Sequence, residues 1–418
     1  MPPPHRKPYL LVATFFWVML FGYFAMVPRV YDRMSRGYAD FSNFYAAGKI
    51  VQARLGDRLY DLALQTKVQD QFSEASALNN RALPYMRPPF EALLFLPLSY
   101  LSFPLAYVVW VLFCVALVGA TAAYLRPRIP GLATIPWWLY YPAYFSFYPI
   151  VYGFILGQDS PLMLLLFGLV AVQWLEGRDF LAGCFLGLAL IKFQLVLPLV
   201  FILILKRQIR TLAGFSLVAA LLAGVSLWAV GWRGMAAYPA YLWGLNAKGA
   251  AAAIYPSVMP SLRGLVQGWT DPLRPRPGLD WITGGLSLAV LVWAARQWRT
   301  EAARASKTYW AGVSIAFLAT LLAGYHEFGY DLSLLLPVVL LAAGSIWADG
   351  KLDSSTRRIL LCSTAALMFP PLYLLLMTVA RLNLMAVAVL GLAWGLSRAI
   401  KTWAGGEAMA APDDSVAI

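Results

Sequence analysis

Charged residues are scarce in this chain: Asp, Glu, Lys and Arg make up only 13% of its 418 residues, whereas hydrophobic residues make up 61%. Soluble domains usually carry about a quarter charged residues. Apolar runs of roughly 18 or more residues recur along the chain, and each is long enough to cross a bilayer as a helix. The period-two alternation of a membrane β-barrel is absent, so helices must be the spanning elements. The composition predicts an all-α polytopic membrane protein.

Cysteine and histidine are also scarce. Cys114, Cys184 and Cys362 fall inside separate apolar runs, where we expect small buried hydrophobes rather than disulfide partners or metal ligands. The only histidines are His5 and His326, so no clustered metal-ligand set is apparent. A Gly-x-Gly-x-x-Gly motif on a strand is missing as well, which excludes the usual fingerprint of soluble nucleotide-binding domains. We expect no cofactor and no metal.

Basic residues outnumber acidic ones by 33 to 20. The excess suits cytoplasmic loops under the positive-inside rule, and part of it suits anionic lipid head groups. No segment resembles a nucleic-acid-binding module, so membrane lipids are expected partners and nucleic acid is not. The first apolar run follows basic residues and lacks a cleavage site, so it is interpreted as an uncleaved helix. We expect a multi-pass protein of the inner (cytoplasmic) membrane with both termini in the cytoplasm.

The apolar runs predict about 11–12 transmembrane helices in a single integral membrane domain, residues 1–404, followed by a disordered cytoplasmic tail, residues 405–418. Residues 88–102 are apolar but short, and they are interpreted as a segment that dips into the membrane interface. The predicted spans are 9–28, 103–125, 130–150, 157–175, 181–205, 211–231, 278–298, 307–325, 331–348, 357–380 and 382–400.

The span at 181–205 conflicts with the positive-inside rule if it is one helix, because a single crossing would leave Lys206 and Arg207 outside the cell. Two shorter segments that turn near Lys192 restore the rule, and we favour this broken form. It also turns Lys192 towards a polar cavity instead of lipid, as an intramembrane charge requires. A cysteine label at Gln208 should then react only from the cytoplasm.

With this topology the polar segments collect on the non-cytoplasmic side. The first and second large extracytoplasmic loops are residues 29–90 and 232–277, and the shorter segments are 151–160 and 325–330. Such clustering on one face is what a single active site facing the periplasm or exterior requires.

Asp40 is the first candidate in these loops. It precedes a stretch in which Phe41, Phe44 and Tyr45 fit an amphipathic helix lying on the membrane. One interpretation is a helix N-cap, and the other is a general base that deprotonates an acceptor hydroxyl. Asp61 follows a glycine turn and has the same two interpretations, with capping of the next helix favoured.

His326 lies at a predicted membrane boundary with Glu327 and Asp331 close by. Capping and interfacial anchoring explain part of this cluster. The alternative is an active-site role, in which His326 hydrogen-bonds a donor phosphate if protonated, or orients the acceptor. Gln158 and Asp159 lie near a helix start, where capping again competes with a role at the site.

Three cations are placed to neutralise a lipid phosphate: Lys192, Arg263 and Arg87. Arginine suits bidentate contact with phosphate, and lysine acts as a point charge. Each could instead only snorkel towards the interface, although Lys192 lies in the middle of its apolar segment. A lipid monophosphate needs no metal if these cations neutralise it.

The order of these motifs resembles glycosyltransferase family 87, whose members have a GT-C fold and are related to polyprenyl-phosphomannose-dependent mannosyltransferases. The resemblance covers residues from about 10 to 350. The chain departs from the family pattern in two places. Arg87 precedes Pro88 where family members often have an aromatic residue, and Phe193 follows Lys192 where the family has proline. These departures bear on the identity of the donor head group and of the acceptor. The matching residues are Asp40, Tyr45–Gly48, Gly56, Leu59–Asp61, Pro88–Phe90, Leu93, Leu94, Pro97, Leu98, Gly157, Gln158, Gly183, Gly187, Lys192, Met259–Gly264 and Tyr330–Leu332.

The resemblance implies a GT-C-type bundle that transfers a hexose such as mannose from a polyprenyl-phosphate donor to a lipid or glycan acceptor, with inversion. It implies Asp40 in the general-base position and His326 in the supporting polar position of the last active-site turn. The rival hypotheses are a transporter or flippase of a lipid-linked sugar and a non-catalytic partner in envelope assembly. The supporting residues expected at the site are Tyr45, Asp61, Gln158, Asp159, Glu327 and Asp331.

Overall fold

The computed structural model describes residues 6–79, 82–129, 132–133, 135–248, 255–268, 278–304, 306–348, 352–372, 375 and 384–410. Every regular element within these ranges is helical. The α-helices are α1 (Arg6–Arg33), α2 (Phe41–Gln52), α3 (Leu62–Gln69), α4 (Glu74–Asn79), α5 (Ala92–Phe95), α6 (Phe103–Leu125), α7 (Trp137–Ser146), α8 (Tyr148–Leu156), α9 (Ser160–Leu175), α10 (Asp179–Leu188), α11 (Phe193–Leu205), α12 (Ile209–Lys248), α13 (Leu262–Gln267), α14 (Gly278–Gln297), α15 (Lys307–Ala323), α16 (Leu336–Ala348), α17 (Ser354–Met368) and α18 (Met385–Ala410).

The prediction of an all-α polytopic membrane protein is confirmed. Six apolar segments in the described ranges are long enough to span a bilayer, and three shorter apolar helices accompany them. The predicted run 130–150 instead contributes two short helices, α7 and α8, because Pro149 lacks the N–H that would continue the helix across Phe147. At the carboxyl end α18 continues to Ala410, into the predicted tail, and residues 411–418 lie outside the described part.

The predicted break near Lys192 is present. Lys192 has φ −113° and ψ 70°, outside the helical region, and it separates α11 from the short 3₁₀ turn that follows α10. Gly183 lies against Thr211 and Gly187 against Val218, so α10 and α12 run parallel. Only residues 206–208 connect α11 to α12. The chain from α11 must therefore return to the side on which α10 begins, which makes α10 and α11 a helical hairpin.

Glycine at position 183 is required by this packing, because a Cβ atom there would collide with the Thr211 carbonyl. We expect Gly183→Val to destabilise the protein by at least about 2 kcal/mol, since overpacking a close helix contact forces the backbones apart. The control is Gly224→Val on α12, where nothing lies within 4 Å of the added Cβ. Melting of the detergent-purified variants measures the difference. Equal melting temperatures would contradict this helix contact.

The 29–90 segment packs against the second half of α12. This helix kinks at Gly231, where φ is 63° and ψ is 178°, and residues 232–248 continue over the 29–90 segment. The Tyr60 ring lies 4.6 Å from that of Tyr238 and 5.3 Å from that of Tyr241. Tyr238 also donates to the Met86 carbonyl at 3.0 Å. The second predicted loop therefore begins as a helix, and it forms one wall of a cavity.

Candidate functional site

A cavity of about 770 Å³ lies between the 29–90 segment, the start of α9, the hairpin turn, the second half of α12 and the 325–331 turn. This volume falls within the range of small-molecule sites. Its lining is mostly apolar and includes Phe193, Leu242 and Trp243. Its polar lining includes Asp40, Asn43, Arg87, Gln158, Arg263 and His326.

The carboxylate of Asp40 faces this cavity and does not cap its helix. Asp40 is the residue before α2, yet its side chain accepts no hydrogen bond from the first turn. Its Oδ2 atom instead accepts from Gln158 Nε2 at 2.7 Å. Burial raises the pKa of Asp40 above its ordinary value, opposed by the hydrogen bond from Gln158 and the charge of Arg87. The capping interpretation of Asp40 is wrong, and its Oδ1 atom accepts no hydrogen bond from the described residues.

Lys192 is fully buried beneath the cavity and does not line it. Its Nζ atom lies 2.9 Å from Asp159 Oδ1, donates to Ser160 Oγ at 2.7 Å, and also contacts Asp331 Oδ1. Two carboxylates thus surround the ammonium group, as a charge within a membrane protein requires. The prediction that Lys192 binds the donor phosphate needs correction, because the anions that neutralise it are already in place.

Arg87 joins this buried cluster to the cavity. Its Nη2 atom donates to Asp159 Oδ1 at 3.1 Å and to Gln158 Oε1 at 3.3 Å. Asp159 makes no capping bond to α9, so the capping interpretation fails for this residue as well. The side chain of Arg87 is 12% exposed, and it lines the cavity. Asp159 therefore connects Lys192 to Arg87.

Two buried glutamates complete the cluster. Burial and the neighbouring Asp159 carboxylate raise the pKa of Glu91 well above its ordinary value. Burial and the neighbouring Asp331 do the same for Glu327. The surroundings therefore favour the protonated form of both glutamates, and neither lines the cavity. Sequence reasoning missed Glu91, although its position four residues after Arg87 was a usable signal for a pair.

Arg263 offers the cavity a cation with neutral partners. Its guanidinium donates to the Tyr325 carbonyl at 3.0 Å, to Asn246 Oδ1 at 2.8 Å and to Gln267 Oε1 at 3.2 Å, and it stacks 3.8 Å from the Tyr325 ring centroid. Among the described residues no carboxylate oxygen lies within 4 Å of it. Arginine keeps its charge even where burial lowers its pKa, as it does here. The guanidinium of Arg263 could therefore pair with an anion bound in the cavity.

Comparison with protein-family models decides the class. Residues 85–324, more than half of the chain, match the model of glycosyltransferase family 87. The chain belongs to glycosyltransferase family 87. It is a membrane glycosyltransferase and acts on a donor and an acceptor. No curated protein and no solved structure matches it. The match begins after Asp40 and ends before His326, so the roles considered for these two residues depend on geometry.

His326 of the glycosyltransferase lines the cavity as a neutral imidazole. Burial, with the charges of Arg263, Arg87 and Lys192, lowers the pKa of His326 to about 3. The ring lies edge-on to Phe328 with centroids 4.9 Å apart. Phosphate binding by a protonated His326 is therefore disfavoured near pH 7. A neutral ring can still donate one hydrogen bond to a substrate.

Two expected site residues of the glycosyltransferase lie away from the cavity. Tyr45 is buried and donates to the Leu101 carbonyl at 2.7 Å. Asp61 caps α3 by accepting from the backbone N–H groups of Ala63 and Leu64, and it pairs with Arg58 at 2.6 Å. Both are structural, and the capping interpretation of Asp61 is confirmed.

Proposed function

We propose that this glycosyltransferase transfers a hexose, such as mannose, from a polyprenyl-phosphate carrier to a hydroxyl of a lipid or glycan acceptor on the non-cytoplasmic face. One observation carries the proposal: Asp40, a carboxylate with one oxygen available to accept a proton, and Arg263, an arginine that has no anionic partner among the described residues, line the same cavity. A base and an anion receptor in one cavity are the two parts that this reaction needs.

The proposed reaction is a direct displacement. Asp40 accepts the proton of the acceptor hydroxyl as its oxygen forms a bond to the anomeric carbon. The bond between that carbon and the phosphate oxygen breaks, and the phosphate leaves with the electron pair. A single displacement inverts the anomeric configuration. The negative charge of Asp40 also stabilises the oxocarbenium-like character of the transition state.

The leaving phosphate is proposed to lie against Arg263 and Arg87. Both guanidinium groups line the cavity, and charge develops on the phosphate in the transition state, where cationic donors stabilise it most. Arg263 keeps two N–H groups beyond its three hydrogen bonds to neutral acceptors. His326 would add one neutral donor.

The apolar wall is proposed to hold the carrier lipid. Trp243, which is 80% exposed, lines the cavity on the second half of α12. Tryptophan is enriched at the boundary between membrane and water. This placement lets a lipid phosphate reach the cavity from the membrane while the isoprenoid chain stays in an apolar environment.

The proposed donor class is tested by supplying radiolabelled mannose as polyprenyl-phosphate mannose or as a nucleotide sugar to washed membranes. We expect a labelled product only from the polyprenyl donor, above the level in membranes without the protein. Transfer from the nucleotide sugar alone would contradict the donor class. Movement of the donor across the bilayer without transfer would favour a flippase.

Arg263→Gln should raise the KM for the polyprenyl donor roughly 10-fold or more, because a charge-assisted contact to phosphate is lost. The matched control is Arg233→Gln, since Arg233 is exposed on α12 and does not line the cavity. Initial rates against donor concentration measure both variants. An unchanged donor KM in Arg263→Gln would remove Arg263 from the phosphate site.

A further inference from the structure

A continuous chain of hydrogen bonds runs from the buried cluster to the proposed base. Lys192 contacts Asp159, and Asp159 accepts from Arg87. Arg87 donates to Gln158 Oε1 at 3.3 Å, and Gln158 Nε2 donates to Asp40 Oδ2 at 2.7 Å. Gln158 is thus the only side chain among the described residues that hydrogen-bonds the Asp40 carboxylate.

The orientation of the Gln158 amide follows from this chain. An amide oxygen accepts and an amide NH₂ group donates. Because Arg87 can only donate, it requires the oxygen of Gln158 on its side, and the NH₂ group must then face Asp40. The guanidinium of Arg87 therefore fixes which end of Gln158 meets the carboxylate.

The backbone holds Gln158 firmly in this place. Gly157 has φ 63°, and a Cβ atom there would collide with Phe41. The Gly157 carbonyl accepts from Trp110 Nε1 at 2.8 Å, and the Gln158 N–H donates to the Gly153 carbonyl at 2.8 Å. Gln158 itself is 3% exposed. The side-chain amide of Gln158 is therefore buried and held by two hydrogen bonds, one to Arg87 and one to Asp40.

We infer that Gln158 is a positioning residue that holds Asp40 Oδ2, so that Oδ1 points to the acceptor hydroxyl. The inference rests on the proposed function of Asp40 as base. Oδ1 accepts no hydrogen bond from the described part of the chain, so it is available. In this arrangement the Lys192 cluster anchors Arg87, Arg87 orients Gln158, and Gln158 orients the base.

The same contact bears on the ionisation of Asp40. Arg87 and Lys192 favour the carboxylate, Asp159 opposes it, and the tyrosines facing Asp40 are Tyr152 and Tyr330. Burial raises the pKa of Asp40, and the hydrogen bond from Gln158 is the largest opposing influence. Removing that bond raises the pKa further. Since the base must be deprotonated, the acid limb of kcat should move to higher pH.

The test compares Gln158→Leu and Gln158→Met with the control Gln71→Leu, which changes an exposed glutamine of the 29–90 segment. We expect kcat at pH 7 to fall roughly 10- to 100-fold in both Gln158 variants, because a misplaced base loses its alignment. The acid limb should move up by roughly one pH unit. The donor KM should stay within about twofold, because the phosphate-binding arginines remain.

Melting of each variant in detergent shows whether it folds, and Met at position 158 fills the volume of the glutamine. A folded Gln158→Met with the kcat and pH profile of the unmodified protein would overturn the inference. A lower kcat with an unchanged acid limb would also overturn it, because that is the result of a packing role alone. Retained transfer in Asp40→Asn would instead refute the proposed base, whatever Gln158 variants do.

Discussion

Replacing Asp40 with asparagine should lower the rate of sugar transfer by roughly 10²- to 10⁴-fold, the range that a general base contributes. The amide is nearly the same size as the carboxylate, but it cannot accept the acceptor proton at neutral pH. It also removes the negative charge that favours an oxocarbenium-like transition state. Loss of rate without loss of folding is the expected signature.

The matched control for this change is Asp57→Asn, which alters an exposed aspartate of the same 29–90 segment. Initial rates at matched protein abundance, with saturating donor and acceptor, measure both variants. Asp57→Asn should retain nearly the full rate. If Asp40→Asn also retains it, Asp40 is not the base, and the proposed mechanism is wrong.

Replacing Lys192 with methionine should destabilise the protein by about 3–5 kcal/mol, because it leaves the buried carboxylate of Asp331 without a cation and leaves Asp159 with Arg87 alone. Lys192 is 0% exposed and contacts both Asp159 and Asp331. The expected result is a much lower melting temperature and yield in detergent. A direct role of Lys192 in binding phosphate would instead leave the melting temperature unchanged and raise the donor KM.

A double variant separates the two explanations for Lys192. Lys192→Met with Asp331→Asn removes the carboxylate that the single change leaves without a cation, so it should recover part of the lost stability. Lys67→Met is the control, since Lys67 is exposed on α3. A double variant less stable than Lys192→Met alone would contradict the ion-pair account.

Local sequence could not separate Asp40 from Asp61. Each aspartate precedes a short helix, and capping is a sound interpretation for both. Asp61 does cap, whereas the side chain of Asp40 is held by Gln158, which lies 118 residues away in sequence. The difference depends on a tertiary contact that no local pattern encodes.

The turn at Lys192 could be predicted because charge in the loops constrains topology. Lys206 and Arg207 are expected on the cytoplasmic side, so the segment 181–205 had to cross back to that side. Lys192 marks the turn, because a charged side chain within the membrane needs a polar environment. The direction of the Lys192 side chain could not be predicted. It depends on Asp159 and Asp331, which are brought together only when the start of α9 packs against the 3₁₀ turn at Gly329–Leu335.

Hydropathy predicted where the chain is apolar better than it predicted helix length. The candidate span α12 extends beyond its predicted limit, residue 231, because Gly231 lets the chain kink and remain helical. Its second half then forms a wall of the cavity through Leu242 and Trp243. Composition alone gives no sign of this extension, since the poor helix formers Gly234, Pro239 and Gly244 lie within residues 232–248.

The most direct test of the central claim uses purified protein in liposomes with polyprenyl-phosphate mannose labelled in the sugar and a mixture of lipid acceptors. We predict one molecule of polyprenyl phosphate released per glycosylated product, inversion at the anomeric carbon, and formation of both products roughly 10²- to 10⁴-fold more slowly in Asp40→Asn. Retention of configuration, or release of polyprenyl phosphate at the full rate by Asp40→Asn, would contradict this claim.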